Sequence, residues 1–411
     1  MGLPDGFRCR TCVRAPRVDG GPPVIGRFAS ERLGVSDTVG ACKEIHACRK
    51  AVYDGCAHAA AALGKNSDSW TWRILHSMTP GTKIKQTPRV CLRLRRRWIR
   101  PLLSAAAALA ACLPVHAQLL EQGRLPRPDG SSIAYYLQQR DPARTADSLL
   151  VVMQGSDCNS VRHNRAIREQ LWRALPAADV LTVDKYGIDA ALPYQQDDGE
   201  NRADCPRAYL LHDDFDQRVR DYEAVIALLR RHGAYRRVVA LGGSEGAVVA
   251  NLLAARGGSV DASIAFNGGG RWFLDDVLHT IEAADTPAEA KADSAAGFRE
   301  FAAFLRETPS SDLVASSHGH AWWRQALALD QQAVLARVRT PLLIVQGGRD
   351  ASVSPGAVER MVEELRRAGQ RHIAYRAYPR LDHGLRDADG VSRMGEVADD
   401  MAAWLDGLPA R

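Results

Sequence analysis

Beyond residue 118 the chain alternates between short, wholly apolar runs and longer stretches in which apolar residues recur every three to four positions. The short runs are SLLVVMQG (148–155), DVLTVD (179–184), RRVVALGG (236–243), DASIAFNGG (261–269), TPLLIVQGG (340–348) and HIAYRAYP (372–379). Unbroken Val, Ile and Leu with no polar face marks a strand buried on both sides, as in a parallel sheet covered by helices. Between the runs, Phe215, Val219, Tyr222, Val225, Ile226 and Leu229 form one stripe at helical spacing. Val248, Val249, Leu252 and Leu253 form a second, and Val358, Met361, Val362 and Leu365 a third that ends near Gly369. This alternation predicts an α/β fold built on an open, doubly wound, mostly parallel sheet. Residues 271–333 interrupt the rhythm with a helical, aromatic-rich stretch holding Trp272, Phe273, Phe298, Phe301, Phe304, Trp322 and Trp323. So many rings need a surface to pack on. The stretch is predicted to be a helical cap over the carboxyl ends of the strands, where open α/β sheets bind ligands.

The first part of the chain has a different character. Residues 93–117, RLRRRWIRPLLSAAAALAACLPVHA, give an arginine cluster, an apolar run, a proline and V-H-A before Gln118. That order predicts a signal peptide within 78–117, cleaved after Ala117, and a periplasmic or secreted product. The apolar run falls short of the roughly 20 residues of a membrane span. Leu109-Ala110-Ala111-Cys112 resembles a lipobox, so lipidation at Cys112 is the alternative and the one expected route to a membrane. Residues 1–77 show no sustained period and are expected to be a non-native or disordered extension, the natural start lying at Met78 or later. Cys9, Cys12, Cys42, His46 and Cys48 are too irregularly spaced to make a convincing zinc site. Charge divides at the same place: 19 Lys and Arg stand against 7 Asp and Glu in residues 1–117, and 35 against 41 thereafter. The basic excess therefore belongs to the leader, and nothing in 118–411 suggests a nucleic-acid partner. Of nine cysteines only Cys158 and Cys205 follow residue 118. In an oxidising compartment they form a candidate disulfide; otherwise they are two buried thiols.

Candidate chemistry sits where strands end. Gly242-Gly243-Ser244-Glu245-Gly246 is G-x-S-x-G, with a predicted strand before it and a predicted helix after it. Small flanking residues permit a sharp turn that lifts the serine hydroxyl clear of the sheet, at a helix N-terminus that favours negative charge. A serine needs a base, and His383 in YPRLDHGLRD follows the last predicted strand. Asp350 in LLIVQGGRDASVSP follows the strand before it. Asp382 and Asp387 compete for the acid role, but Asp382 adjoins His383 in sequence and is expected to point away. The order Ser244…Asp350…His383 is that of the α/β-hydrolases.

On GGSEG, QGGRDASVSP and LDHGL, residues 133–411 resemble the α/β-hydrolase superfamily, with looser resemblance to its prolyl-oligopeptidase and dienelactone-hydrolase branches. The resemblance implies an oxyanion hole from two backbone N–H groups. One is that of Glu245, and the other comes from the loop 154–158, with Ser156 the best match; Gln154 replaces the histidine many relatives carry. Lys185 and Tyr186, after a strand, are candidate pocket residues, as are Trp322 and Trp323, with His318 and His320 beside them. Each of these also reads as plain loop or cap core. Gly268-Gly269-Gly270 lacks the spacing of a phosphate loop, and neither metal nor cofactor is expected. The reading is an exported serine hydrolase acting on a small-molecule ester or peptide. The alternatives are a peptidase of prolyl-oligopeptidase type and a non-catalytic binding protein on a hydrolase scaffold.

Overall fold

The structure is a computed structural model that describes residues 119–141, 146–195, 202–232 and 235–409. The predicted extension, the signal-peptide stretch and Cys112 lie outside the described residues, as do Cys9, Cys12, Cys42, His46 and Cys48.

An eight-stranded sheet runs in the order β1-β2-β4-β3-β5-β6-β9-β10. Its strands are β1 (Leu119–Pro126), β2 (Ser132–Gln139), β3 (Ser148–Met153), β4 (Asp179–Val183), β5 (Arg237–Gly243), β6 (Ala262–Phe266), β9 (Leu342–Gly347) and β10 (Ile373–Tyr378). The hairpin β1–β2 and the β2–β4 pair are antiparallel; every other neighbouring pair is parallel. Each of the six predicted strands is present in the parallel part. Their missing polar face has a direct cause. Leu149, Val151 and Met153 of β3 pack into one core and Leu150 and Val152 into another, on opposite faces of the sheet.

The helices, in chain order, are α1 (Arg165–Glu169), α2 (Arg207–His212), α3 (Phe215–His232), α4 (Glu245–Arg256), α5 (Phe273–Ala283), α6 (Ala288–Glu307), α7 (His320–Ala328), α8 (Gln331–Leu335), α9 (Pro355–Arg367) and α10 (Met394–Asp406). Helices α3, α4 and α9 cover the first face through Val219, Val249 and Val358. Helix α10 covers the second through Val397, Met401 and Leu405. Between β6 and β9 the sheet is interrupted by α5 to α8 and a short hairpin, β7 (Val314–Ala315) with β8 (His318–Gly319). Trp322 and Trp323 anchor this insertion, both almost wholly buried, with Phe273 near each and Phe298 and Phe301 around Trp323. No helix among the described residues is long and apolar enough to cross a membrane.

Candidate active site

Ser244 occupies the turn between β5 and α4 with φ 54° and ψ −126°, a backbone conformation that side chains other than hydrogen rarely adopt. Its neighbours show why the sequence supplies glycines there. A β-carbon on Gly246 would strike the carbonyl of Met153 in β3, and one on Gly242 would strike the carbonyl of Gly246 itself. The turn is also pinned from the side, where the Ser244 N–H donates to the Phe266 carbonyl at 3.0 Å. Strain in the serine is thus held by packing on both flanks, and its hydroxyl stands at the N-terminus of α4.

Asp350 and His383 come from the turns after β9 and β10. Ser244 Oγ lies 3.1 Å from His383 Nε2, and His383 Nδ1 lies 2.9 Å from Asp350 Oδ2. An ionised carboxylate only accepts, so Nδ1 carries the imidazole proton and Nε2 is left to accept from the serine hydroxyl. The Asp350 side chain is fully buried, and its oxygens are saturated. Oδ1 accepts the N–H groups of Ser352 and Val353 at 2.8 and 3.0 Å, and Oδ2 also accepts from Gln346 Nε2 at 3.0 Å. Burial works to lower the His383 pKa, but the charge and hydrogen bond of Asp350 outweigh it and hold the pKa above its ordinary value. Asp382 bonds away from the imidazole, accepting the Arg386 N–H at 2.8 Å. Asp387 pairs with Arg393.

Asn267, which the sequence reading did not single out, locks the two turns together. It lies at the end of β6 with φ 50° and no solvent exposure. Its Oδ1 accepts the Gly347 N–H at 2.8 Å and its Nδ2 donates to the His383 carbonyl at 2.7 Å. One side chain thereby ties the acid strand to the histidine turn. The available signal was an Asn before three glycines at a strand end, a residue type that tolerates positive φ.

A buried charge cluster lies under the loop 154–158. Glu245 points its side chain inward, where its carboxylate meets Arg218 Nη1, Lys185 Nζ at 3.4 Å and Trp322 Nε1 at 3.1 Å. Burial would raise the Glu245 pKa; the two cations more than offset this and bring it to about 2. Both cations reach on to the loop: Arg218 Nη2 donates to the Gln154 carbonyl and Lys185 Nζ to the Asp157 carbonyl, each at 2.9 Å. Asp213 is buried nearby with no hydrogen-bond partner for either carboxyl oxygen, and burial raises its pKa. His318, stacked on Trp322 with centroids 3.8 Å apart, is held neutral by burial, its pKa pushed down to about 3. The far end of the loop is tied by Cys158, whose sulfur is 2.02 Å from that of Cys205, a disulfide.

The structure therefore brings Ser244, Asp350 and His383 together and places Ser156 on the cleft that opens over Ser244. Trp322 lines a second recess beside Ser244, whereas Trp323 packs behind it in the insertion. Lys185 lies beneath the loop rather than on a pocket wall. The Tyr186 hydroxyl donates to Asp129 Oδ2 at 2.8 Å and its ring lies under the Arg127 guanidinium. His320 turns its Nε2 to the Thr308 carbonyl. Among the described residues no group of three or more His, Cys, Asp or Glu side chains is placed to hold a metal ion.

Residues 202–387 match the family described as serine aminopeptidase, S33. Similar solved structures include the esterase Pf2001 of Pyrococcus furiosus, 12% identical, covering 70% of this chain and 87% of that one, with a TM-score of 0.45. Est1E from Butyrivibrio proteoclasticus is 13% identical over 69% of this chain and 97% of its own, with a TM-score of 0.46. A puromycin-hydrolyzing peptidase of Mycobacterium tuberculosis is 18% identical over 72% of this chain and 40% of its own, with a TM-score of 0.47. No curated protein matches the sequence.

Proposed function

We propose that the chain is a serine hydrolase on an α/β-hydrolase scaffold and that it cleaves a small-molecule carboxylic ester through an acyl-enzyme on Ser244. The observation that carries this reading is the unbroken hydrogen-bond chain from Ser244 Oγ through His383 to Asp350 at one rim of the sheet. In the acylation step His383 Nε2 takes the hydroxyl proton as Oγ bonds to the carbonyl carbon. The carbonyl oxygen becomes an oxyanion, received by the Glu245 N–H and an N–H of the loop at Ser156, each worth about 3–4 kcal/mol of transition-state stabilisation. Collapse breaks the acyl–oxygen bond, and the proton on Nε2 passes to the departing alkoxide. Water then enters, gives a proton to Nε2 and bonds to the acyl carbon; collapse breaks the acyl–Oγ bond, the proton on Nε2 returns to Oγ, and the acid leaves. Asp350 keeps the tautomer in register and stabilises the imidazolium.

Ser244→Ala tests this reading. It should abolish labelling by a fluorophosphonate probe and lower kcat for an ester substrate by at least about 10⁴-fold. A folded wild-type protein that takes no label would instead be a binding protein on this scaffold.

The aminopeptidase named in the family description supports a second reading, cleavage of an amide with a free amino group. That chemistry wants an ionised acid at the recess. Two carboxyl residues line it: Glu245, whose carboxylate is engaged by Arg218, Lys185 and Trp322, and Asp276, whose oxygens accept the Ser354 and Gly270 N–H groups and whose pKa burial pushes up to about 7. With both carboxyl groups engaged by partners inside the protein, neither is free to anchor an amine, which favours the ester. Export is part of the proposal. It is supported by the arginine-led apolar run ending at Ala117 and by the Cys158–Cys205 disulfide.

A further inference from the structure

Two recesses that differ in size and polarity meet at Ser244 and His383. One is a narrow space of about 60 Å³ under the insertion. Phe215, Val248, Phe273, Trp322, Ala326 and Leu329 supply its apolar walls. The other is a cleft of about 480 Å³ of mixed lining, where Asp157, Asn164, Arg165 and Tyr194 stand beside Ile167 and Met394.

The narrow recess is rigid. Trp322 is 2% exposed, hydrogen-bonded through Nε1 to Glu245 and stacked on His318. It meets Phe215 and Phe273 edge to face, with centroids 5.8 Å away in both cases. A ring held on every side by aromatic packing and a charge-assisted hydrogen bond does not swing aside for a longer ligand. An engineered apolar cavity of about 150 Å³ accepts benzene. A recess less than half that size has room for a chain of roughly two to four carbons and not for a phenyl ring.

The chemistry of the two half-reactions decides which end of the substrate goes where. His383 Nε2 gives a proton to the leaving group and then takes one from water, so alcohol and water occupy the same side of the acyl carbon in turn. That side must communicate with solvent while the acyl group stays bonded to Ser244. The wide cleft is the larger and more open of the two and gives that access; the narrow recess holds the part that remains.

We propose that the enzyme acts on esters joining a short aliphatic acyl group, seated under Trp322, to a bulky hydrophilic alcohol seated in the cleft beside Asn164 and Tyr194. This rests on the serine-hydrolase reading of Ser244, which fluorophosphonate labelling tests separately. With labelling established, kcat/KM is measured for p-nitrophenyl acetate, butyrate, octanoate and benzoate, and hydrolysis of triacetin is compared with that of octyl acetate. Acetate and butyrate should exceed octanoate and benzoate by at least about 100-fold, and triacetin should be cleaved faster than octyl acetate. Leu329→Ala, at the partly exposed edge of the recess, should move the length limit toward octanoate. Equal or better turnover of octanoate or benzoate overturns the proposal. So does preference for octyl acetate, an unchanged limit in Leu329→Ala, or turnover of none of the short esters by protein that still takes the label. Absence of label overturns the serine-hydrolase reading instead.

Discussion

His383 is pulled in two directions. Its side chain is about a quarter exposed, and what burial it has disfavours the imidazolium, while the Asp350 carboxylate 2.9 Å away favours it more strongly. In the proposed mechanism the active form is the neutral ring, so activity should be present above the histidine pKa and lost as pH falls through it. With the pKa raised, the acid limb of kcat/KM should have its midpoint above 6.5, the ordinary value. Asp350→Asn should move that midpoint down and lower kcat by about 10⁴-fold, because the ring loses both its charge partner and its tautomer control. A wild-type midpoint below 6.5 would count against the pair. At this scale the sequence is legible where chemistry demands a residue type. Ser244, Asp350 and His383 stand out because the proposed roles of nucleophile, acid and base have few substitutes and because all three follow strand ends. Asn267, Arg218 and the inward side chain of Glu245 do not stand out. Their work is to hold backbone carbonyls and N–H groups in turns remote in sequence, and only the folded chain brings those together.

Among the elements, the turn between β5 and α4 depends on the closeness of α4 to β3. Gly246→Ala pushes a methyl group into the Met153 carbonyl, and should destabilise the protein by at least about 2 kcal/mol. Gly297, inside α6, has open space where a β-carbon would go and no positive φ. Gly297→Ala should stabilise by about 0.5–1 kcal/mol by restricting the unfolded chain. Urea denaturation of the two variants reads both signs. Strands β3 to β6 and β9 were readable because a strand buried on two faces offers little polar pattern to confuse with a helix; β10, a partly buried edge strand carrying Arg376, was read from its β-branched and aromatic run alone. The β1–β2 hairpin escaped notice. LLEQGRLP and SIAYYLQQ mix polar and apolar residues without a steady period, as befits an antiparallel edge of which one strand is largely exposed. Helix α10 was not singled out either: MGEVADDMAAWLD spaces its apolar residues helically, but it follows the last predicted strand across a polar stretch and leads to no further strand.

Across the whole molecule, the loop over Ser244 is fastened at both ends by groups from elsewhere in the chain. Arg218 and Lys185 hold its carbonyls, and the disulfide ties Cys158 to Cys205, 47 residues later. Replacing both cysteines by serine should lower unfolding stability by about 2–4 kcal/mol. It should also reduce kcat more than it raises KM, since a loosened loop misplaces a donor used mainly in the transition state. Calorimetry and steady-state kinetics on the same variant separate these effects. The insertion between β6 and β9 enters this balance too. Trp322 belongs to the insertion, yet its indole N–H completes the hydrogen bonding of Glu245, the residue next to Ser244, whose carboxylate holds the buried Arg218 and Lys185. Segments of this kind are attractive to transplant between enzymes as interchangeable specificity modules. Here an exchange that omits the indole would admit water onto two guarded cations and release the carboxylate that aligns them, so the donor scaffold would lose catalytic power before any new selectivity could be gained.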